Sequence, residues 1–236
     1  MSDQPLPRLV PWLIRYLRSA APLILVYAAL LSGIETLWPG AGGSIQSWKM
    51  ITTLAVDYQL FRLALLAPAA AWSSPWPGKH VIRFALVALL LMVLWIAPMV
   101  IIAFSLGLPT DNNYAAQKAV AYLAVLPLIV LVLTLFGSLL PDAVLGQPFS
   151  LRRALRAARQ TWARVLGQLI AFYLVATLAV LALAFWVKTV LPIATMPGWA
   201  SFLVLNGFTV LGTLLDALAI AILSRAWIQV WGRPET

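Results

Sequence analysis

Cysteine is absent from the 236 residues, histidine occurs once, and acidic residues number only seven. The first absence excludes disulfide staples, thiol nucleophiles and thiolate metal sites. The other two leave no His/Glu metal cluster and no Asp-rich metal motif, and the chain has neither a Gly-rich phosphate loop nor a Ser/His pairing within one apolar run. Enzyme chemistry is therefore poorly supported, and no cofactor is implied. Charge is scarce at 10% of residues, whereas 63% are hydrophobic and the mean hydropathy is +0.95. Soluble domains run at about 45–50% apolar and about 25% charged. A water-soluble globular domain and a disordered tail are both excluded.

What is abundant is span-length apolar sequence. Crossing a ~30 Å hydrocarbon core takes about 20 helical residues. Six stretches meet that length, at about 20–38, 50–72, 81–106, 119–140, 165–187 and 202–223. They predict one integral membrane domain over 1–236, an all-α polytopic bundle. Turn chemistry separates them at Trp38-Pro39-Gly40, Trp76-Pro77-Gly78, Leu108 to Asn113, and Met196-Pro197-Gly198. Pro68, Pro98 and Pro127 fall inside apolar runs and are expected to kink helices rather than end them. The first run is long enough to span and lacks a small-residue cleavage site, so it reads as a retained helix rather than a signal peptide.

The formal net charge is +9, and its placement sets an expected orientation. Arg8, Arg15, Arg18, Lys79, Arg83, Arg152, Arg153, Arg156, Arg159, Arg164, Arg225 and Arg233 fall on one side of the six-span reading. Lys49, Lys118 and Lys188 fall on the other, and Arg62 lies within a span. Basic residues accumulate on the cytoplasmic side of membrane proteins. The bias predicts a bacterial inner-membrane protein with both termini in the cytoplasm. Tryptophans at the proposed ends, among them Trp12, Trp72, Trp76, Trp162 and Trp199, suit the headgroup level.

Two basic segments flank the spans. Residues 149–164 predict an amphipathic surface helix, with Ser150 as its N-cap and a stripe of Leu151, Leu155, Ala158, Trp162 and Val165 at helical spacing. Arg152, Arg153, Arg156, Arg159 and Arg164 occupy its other faces as candidate headgroup ligands. Such a helix lies flat at the membrane surface. The arm at 1–19, with Arg8, Arg15 and Arg18 opposite Leu9, Leu13 and Tyr16, is a shorter interfacial version. Both segments suit topology and anchoring, or else recognition of anionic lipid or a partner protein.

The run Leu140-Pro141-Asp142-Ala143-Val144-Leu145-Gly146-Gln147-Pro148, followed by Leu151-Arg152-Arg153-Ala154-Leu155-Arg156, resembles uncharacterised bacterial six-helix membrane proteins related to the membrane domain of glycerophosphodiester phosphodiesterases. Pro141, Asp142, Ala154, Leu155 and Arg156 carry the likeness: a helix ending in Pro plus an acidic residue, a short loop, then a basic amphipathic helix. The resemblance implies architecture and brings no molecular activity with it. Asp142, at the end of an apolar run, is expected to oppose the helix dipole and to find a partner among Arg153, Arg156 and Arg159.

Few polar groups interrupt the spans. A charge at the bilayer centre costs roughly 2.5–3.5 kcal/mol on insertion scales. Glu35 lies near a span end and reaches the interface. Asp57, Arg62, Asn206 and Asp216 form a candidate intramembrane cluster, in which Arg62 and Asp216 reach similar depth on the second and sixth spans and are expected to meet. Ala217 and Ala221 offer a small-residue edge for close helix approach. The composition points to a non-enzymatic membrane protein acting in lipid handling, envelope organisation or partner binding. The alternative is a small transporter or channel subunit with a path lined by Asp57, Arg62 and Asp216, and a third reading is a lipid-modifying enzyme. Expected partners are anionic membrane lipids and a protein partner or second copy, not nucleic acid.

Overall fold

Where this chain stops being helical is decided mainly by proline and glycine. The computed structural model describes residues 9–37, 42–105, 115–190 and 197–232, and every regular element among them is an α-helix. In chain order these are α1 (Leu9–Leu37), α2 (Gly42–Leu65), α3 (Pro68–Ser73), α4 (Gly78–Ser105), α5 (Ala115–Phe136), α6 (Leu139–Val144), α7 (Leu151–Val190) and α8 (Gly198–Trp231). Among the described residues, four helices are long and apolar enough to cross a membrane: α1, the Gly78–Pro98 part of α4, Leu151–Val187 of α7, and α8. The turns expected at Trp38 to Gly40 and Leu108 to Asn113, together with Arg8, Met196 and Arg233, lie outside the described residues.

Two expectations about the helices need correction. Pro68 ends a helix instead of kinking one. α2 stops at Leu65, Ala67 is extended (φ −63°, ψ 142°), and Pro68 opens α3. Proline has no N–H to donate and pushes the preceding residue out of the helical region. Pro98 and Pro127, by contrast, do sit inside α4 and α5, and Pro22 sits inside α1. The second correction concerns the two basic segments. The arm at 1–19 is continuous from Leu9 with α1, and the segment at 149–164 is the opening part of the 40-residue α7. Neither is a separate surface helix. Pro11 falls in the first turn of α1, where a missing N–H is tolerated, and no proline interrupts Leu151–Val190.

The chain divides into two compact units, Met1–Pro75 with Leu174–Thr236, and Trp76–Tyr173. In the first, α1, α2 and α8 pack against one another and α3 against α2. The buried face of α1 is Tyr16, Ala20, Ile24, Ala28 and Ser32, a strict four-residue repeat that stacks side chains on one side of a helix. α8 buries Thr213, Ala217, Ala221 and Ser224. Small residues on both helices let the backbones approach closely, and Ser32 Oγ donates to Thr209 Oγ1 at 3.4 Å. From Tyr58 to Leu65 every residue of α2 is buried, so this half of α2 is enclosed on all faces. In the second unit, α4 packs against α5 and α6. Phe84, Val87 and Leu91 of α4 are buried, as is the whole of α6.

Candidate functional site

The polar groups of the first unit gather along α2. Asp57 and Asp216 lie near enough to act on each other electrostatically, and Tyr16 of α1 senses Asp57 in the same way. The Tyr16 hydroxyl donates to the Ala217 carbonyl of α8 at 3.2 Å, fixing the ring at the meeting point of three helices. Neither Asp57 nor Asp216 has an ion-pair partner among the described residues, and Asp216 is exposed while Asp57 is partly so. Two carboxylates on facing helices with no cation between them attract a proton or a metal cation, and they repel each other when both are ionised.

Arg62 does not meet Asp216, contrary to expectation. Its Nη2 donates to the Ser74 carbonyl at 3.0 Å and its Nη1 reaches Gln59 Oε1 at 3.5 Å, while Gln59 Nε2 donates to the Ala71 carbonyl at 3.0 Å. The cause is the break at Pro68. Ending α2 and α3 leaves carbonyl groups without helical donors, and Arg62, in the last turn of α2, bonds the carbonyl at the C-cap of α3. A guanidinium also suits the negative end of a helix dipole. Arg62 is thus a buried brace between two helix ends. Asn206 stands ten residues before Asp216 on α8, about 15 Å along the axis, so the expected four-residue cluster resolves into separate groups. Glu35 pairs with Lys49, tying α1 to α2 near the expected outer ends of the first two spans.

The second unit contains a joint that the sequence only half announced. Asp142 Oδ1 lies 3.4 Å from Arg153 Nε, with the carboxylate 2% exposed and the guanidinium 28%. Of the three arginines expected as partners, the structure selects Arg153. The dipole expectation fails for a local reason: the chain turns at Gly137 and Ser138 and starts a new helix, which places Asp142 in the first turn of α6. Negative charge is favoured there. α6 then closes on Gly146, whose φ is +72°. The Gln147 N–H bonds the Asp142 carbonyl at 2.8 Å and the Gly146 N–H bonds that of Ala143 at 3.2 Å. These two bonds form a Schellman cap, and its left-handed position favours glycine.

Arg83 of α4 secures the same loop by donating from Nη1 to the Gly146 and Gln147 carbonyls at 2.8 and 2.9 Å. The His80 ring lies so close over Gly146 that a Cβ there would clash with its Nε2. Ser150 caps α7, its Oγ accepting the Arg153 N–H at 3.2 Å, as the sequence predicts. His80, Arg83 and Gly146 were missed as a set. The signal available was local, a glycine followed two residues later by Pro148 at a helix end.

Beyond this joint, the face of α7 turned into the protein is Ala154, Ala157, Ala158, Thr161 and Val165, adjoining the stripe expected to face the membrane surface. Ala158 and Val165 are common to both, whereas Leu151, Leu155 and Trp162 are 48%, 46% and 55% exposed. The five arginines also divide. Arg153 is held by Asp142 and Arg164 has an interaction partner of its own. Arg152, Arg156 and Arg159 are exposed. No family model, curated protein or solved structure matches the chain.

Proposed function

We propose that this chain is a non-enzymatic bacterial inner-membrane protein that crosses the bilayer six times, keeps both termini in the cytoplasm, and acts at the lipid phase in lipid handling, envelope organisation or partner binding. The observation that carries the reading is α7. Its apolar length continues, without a break, from an arginine-rich opening segment that the buried Asp142–Arg153 pair and the Arg83-clamped loop hold in place. A fixed basic extension on a membrane-length helix presents cationic side chains where anionic headgroups lie. The elbow pattern at Pro141, Asp142, Ala154, Leu155 and Arg156 supports kinship with the glycerophosphodiester phosphodiesterase membrane domains as part of the same proposal. Native mass spectrometry of the protein extracted with its surrounding membrane tests it. Retained lipid or a partner chain, with membrane lipid composition unchanged on deletion of the protein, is the expected result. A changed lipid chemistry would turn the reading to a lipid-modifying enzyme.

A second reading is a small transporter or channel subunit, favoured by Asp57 and Asp216, which act on each other electrostatically and have no ion-pair partner among the described residues. Intramembrane carboxylates typically mark ion or proton routes. Proteoliposomes that carry a proton or cation flux, abolished by Asp57→Asn and by Asp216→Asn, would establish it over the first.

A further inference from the structure

The α7 surface that the fold leaves uncovered has two adjoining stripes. Residues of an α-helix advance 100° each. Leu151, Leu155 and Trp162 therefore share one narrow sector, and Arg152, Arg159 and Arg156 occupy the sector next to it. The small-residue face Ala154, Ala157, Ala158, Thr161 and Val165 adjoins the apolar stripe on its other side and is turned into the protein. Passing around the helix, the order is protein interior, exposed apolar side chains, then free guanidinium groups. Arg152, Arg156 and Arg159 form no hydrogen bond or ion pair among the described residues, while Arg153, across the buried face, is taken by Asp142. Phe149, just ahead of the helix, adds a further exposed ring.

Resting on the proposed membrane reading, we infer that Leu151, Leu155, Trp162, Arg152, Arg156 and Arg159 form a docking surface for anionic phospholipid of the adjoining leaflet. The apolar stripe lies among the upper acyl chains and the three arginines bind headgroup phosphates. Three observations choose lipid as the occupant. The stripe leads into the apolar length of the same helix, so it begins where the bilayer begins. Its charge is of one sign, because no acidic residue occurs between Phe149 and Val190. And its geometry, apolar beside basic with long arginine stems between, is that of side chains which bury their stems and lift their charges to the interface. The arginines fall into two classes: Arg153 holds the joint, and Arg152, Arg156 and Arg159 read the membrane.

The test uses the full chain in nanodiscs of phosphatidylcholine mixed with phosphatidylglycerol. Native mass spectrometry reads the ratio of the two lipids retained. The wild type is expected to prefer phosphatidylglycerol, and Arg152→Gln, Arg156→Gln and Arg159→Gln each to lower that preference, toward about fivefold where the headgroup contact is strong. Arg153→Gln is expected to leave the ratio unchanged while lowering thermal stability. Because the chain has no cysteine, Leu155→Cys gives a unique spin-label site on an otherwise intact protein. Its label is expected to be accessible to oxygen and shielded from a water-soluble nickel chelate. Excess inorganic phosphate is expected not to displace the lipid. Unchanged preference in the triple glutamine variant, a water-exposed label at position 155, or displacement by phosphate overturns the inference. If lipid is retained without regard to charge, the lipid-phase reading survives and this inference fails. If neither lipid nor partner is retained, both fail.

Discussion

Arginine and aspartate in the elbow are joined by one ion pair but are buried unequally, and that asymmetry is measurable. Asp142 is 2% exposed and Arg153 is 28% exposed. Arg153→Met leaves a carboxylate in the interior without its guanidinium, and removing one member of a buried pair costs about 3–5 kcal/mol. Asp142→Asn leaves a guanidinium that already touches solvent and can swing outward. Its cost is that of an ion pair with one solvent-touching member, about 1 kcal/mol. Arg153→Met is thus the more damaging substitution, although it changes the more exposed residue. For a chain of this size each kcal/mol moves Tm by about 2–4 °C, so the expected drops are of the order of 10 °C and about 3 °C. The double variant removes charge from both sides and is expected to be close to Asp142→Asn alone. Thermal unfolding in detergent, followed by size-exclusion recovery after heating, reads all three. Equal losses for the two single variants, or a double variant whose loss is their sum, would refute the claim that this pair governs the joint.

Gly146→Ala is expected to destabilise by roughly 1–2 kcal/mol for the left-handed backbone alone, plus the clash with His80. His80→Ala in the same chain should relieve the clash and leave the backbone cost, and full rescue in the unfolding assay would contradict this. Arg62→Met removes the bond to the Ser74 carbonyl and should cost about 1.5–3 kcal/mol, with Arg62→Lys recovering only part because an ammonium lacks the fork. If the lysine variant is fully stable, the brace is a point charge and no more. Ala28→Leu, at a fully buried position of α1, should cost about 1–3 kcal/mol by overpacking, and Leu30→Ala, on the exposed side, should be nearly silent in the same measurement. Tyr16→Phe loses one interhelical bond and should cost about 0.6 kcal/mol, the usual value between helices in membranes.

The helices themselves were legible because apolar run length is a local property, and the long apolar runs are helical over their described residues except at the breaks at Leu66–Ala67 and Gly137–Ser138. The partners of the polar groups were not. Depth counting paired Arg62 with Asp216, yet a long side chain bonds the nearest unsatisfied acceptor, and the Pro68 break had created one at the Ser74 carbonyl. Treating Pro68 as a kink concealed that acceptor, so one misreading of backbone produced the other. Asp142 shows the same dependence: its pairing with arginine followed from sequence proximity, but its dipole environment depended on a two-residue turn at Gly137 and Ser138.

The outward-facing large side chains on α7 have a more general cause. In water, large apolar side chains mark the inside of a helix, because exposing them is costly. By that rule Leu151, Leu155 and Trp162 would be the face turned into the protein. Lipid tails are as apolar as leucine, so hydrophobicity gives no preference between the protein interior and its surroundings there, and close packing decides instead. On three helices small residues figure prominently among those buried: Ala20, Ala28 and Ser32 on α1, Ala154 and Ala157 on α7, Ala217 and Ala221 on α8, beside larger ones such as Tyr16, Leu169 and Trp227. The residues it turns outward are large: Leu25 and Leu30, Leu155 and Trp162, Phe185 and Leu203. The inversion recurs on three helices from both units, which makes it a property of the solvent rather than of one contact. On α1, α7 and α8 the buried alanine and serine positions mark the packed side, whereas a Cβ at Gly33, Gly167, Gly207 or Gly212 would meet open space.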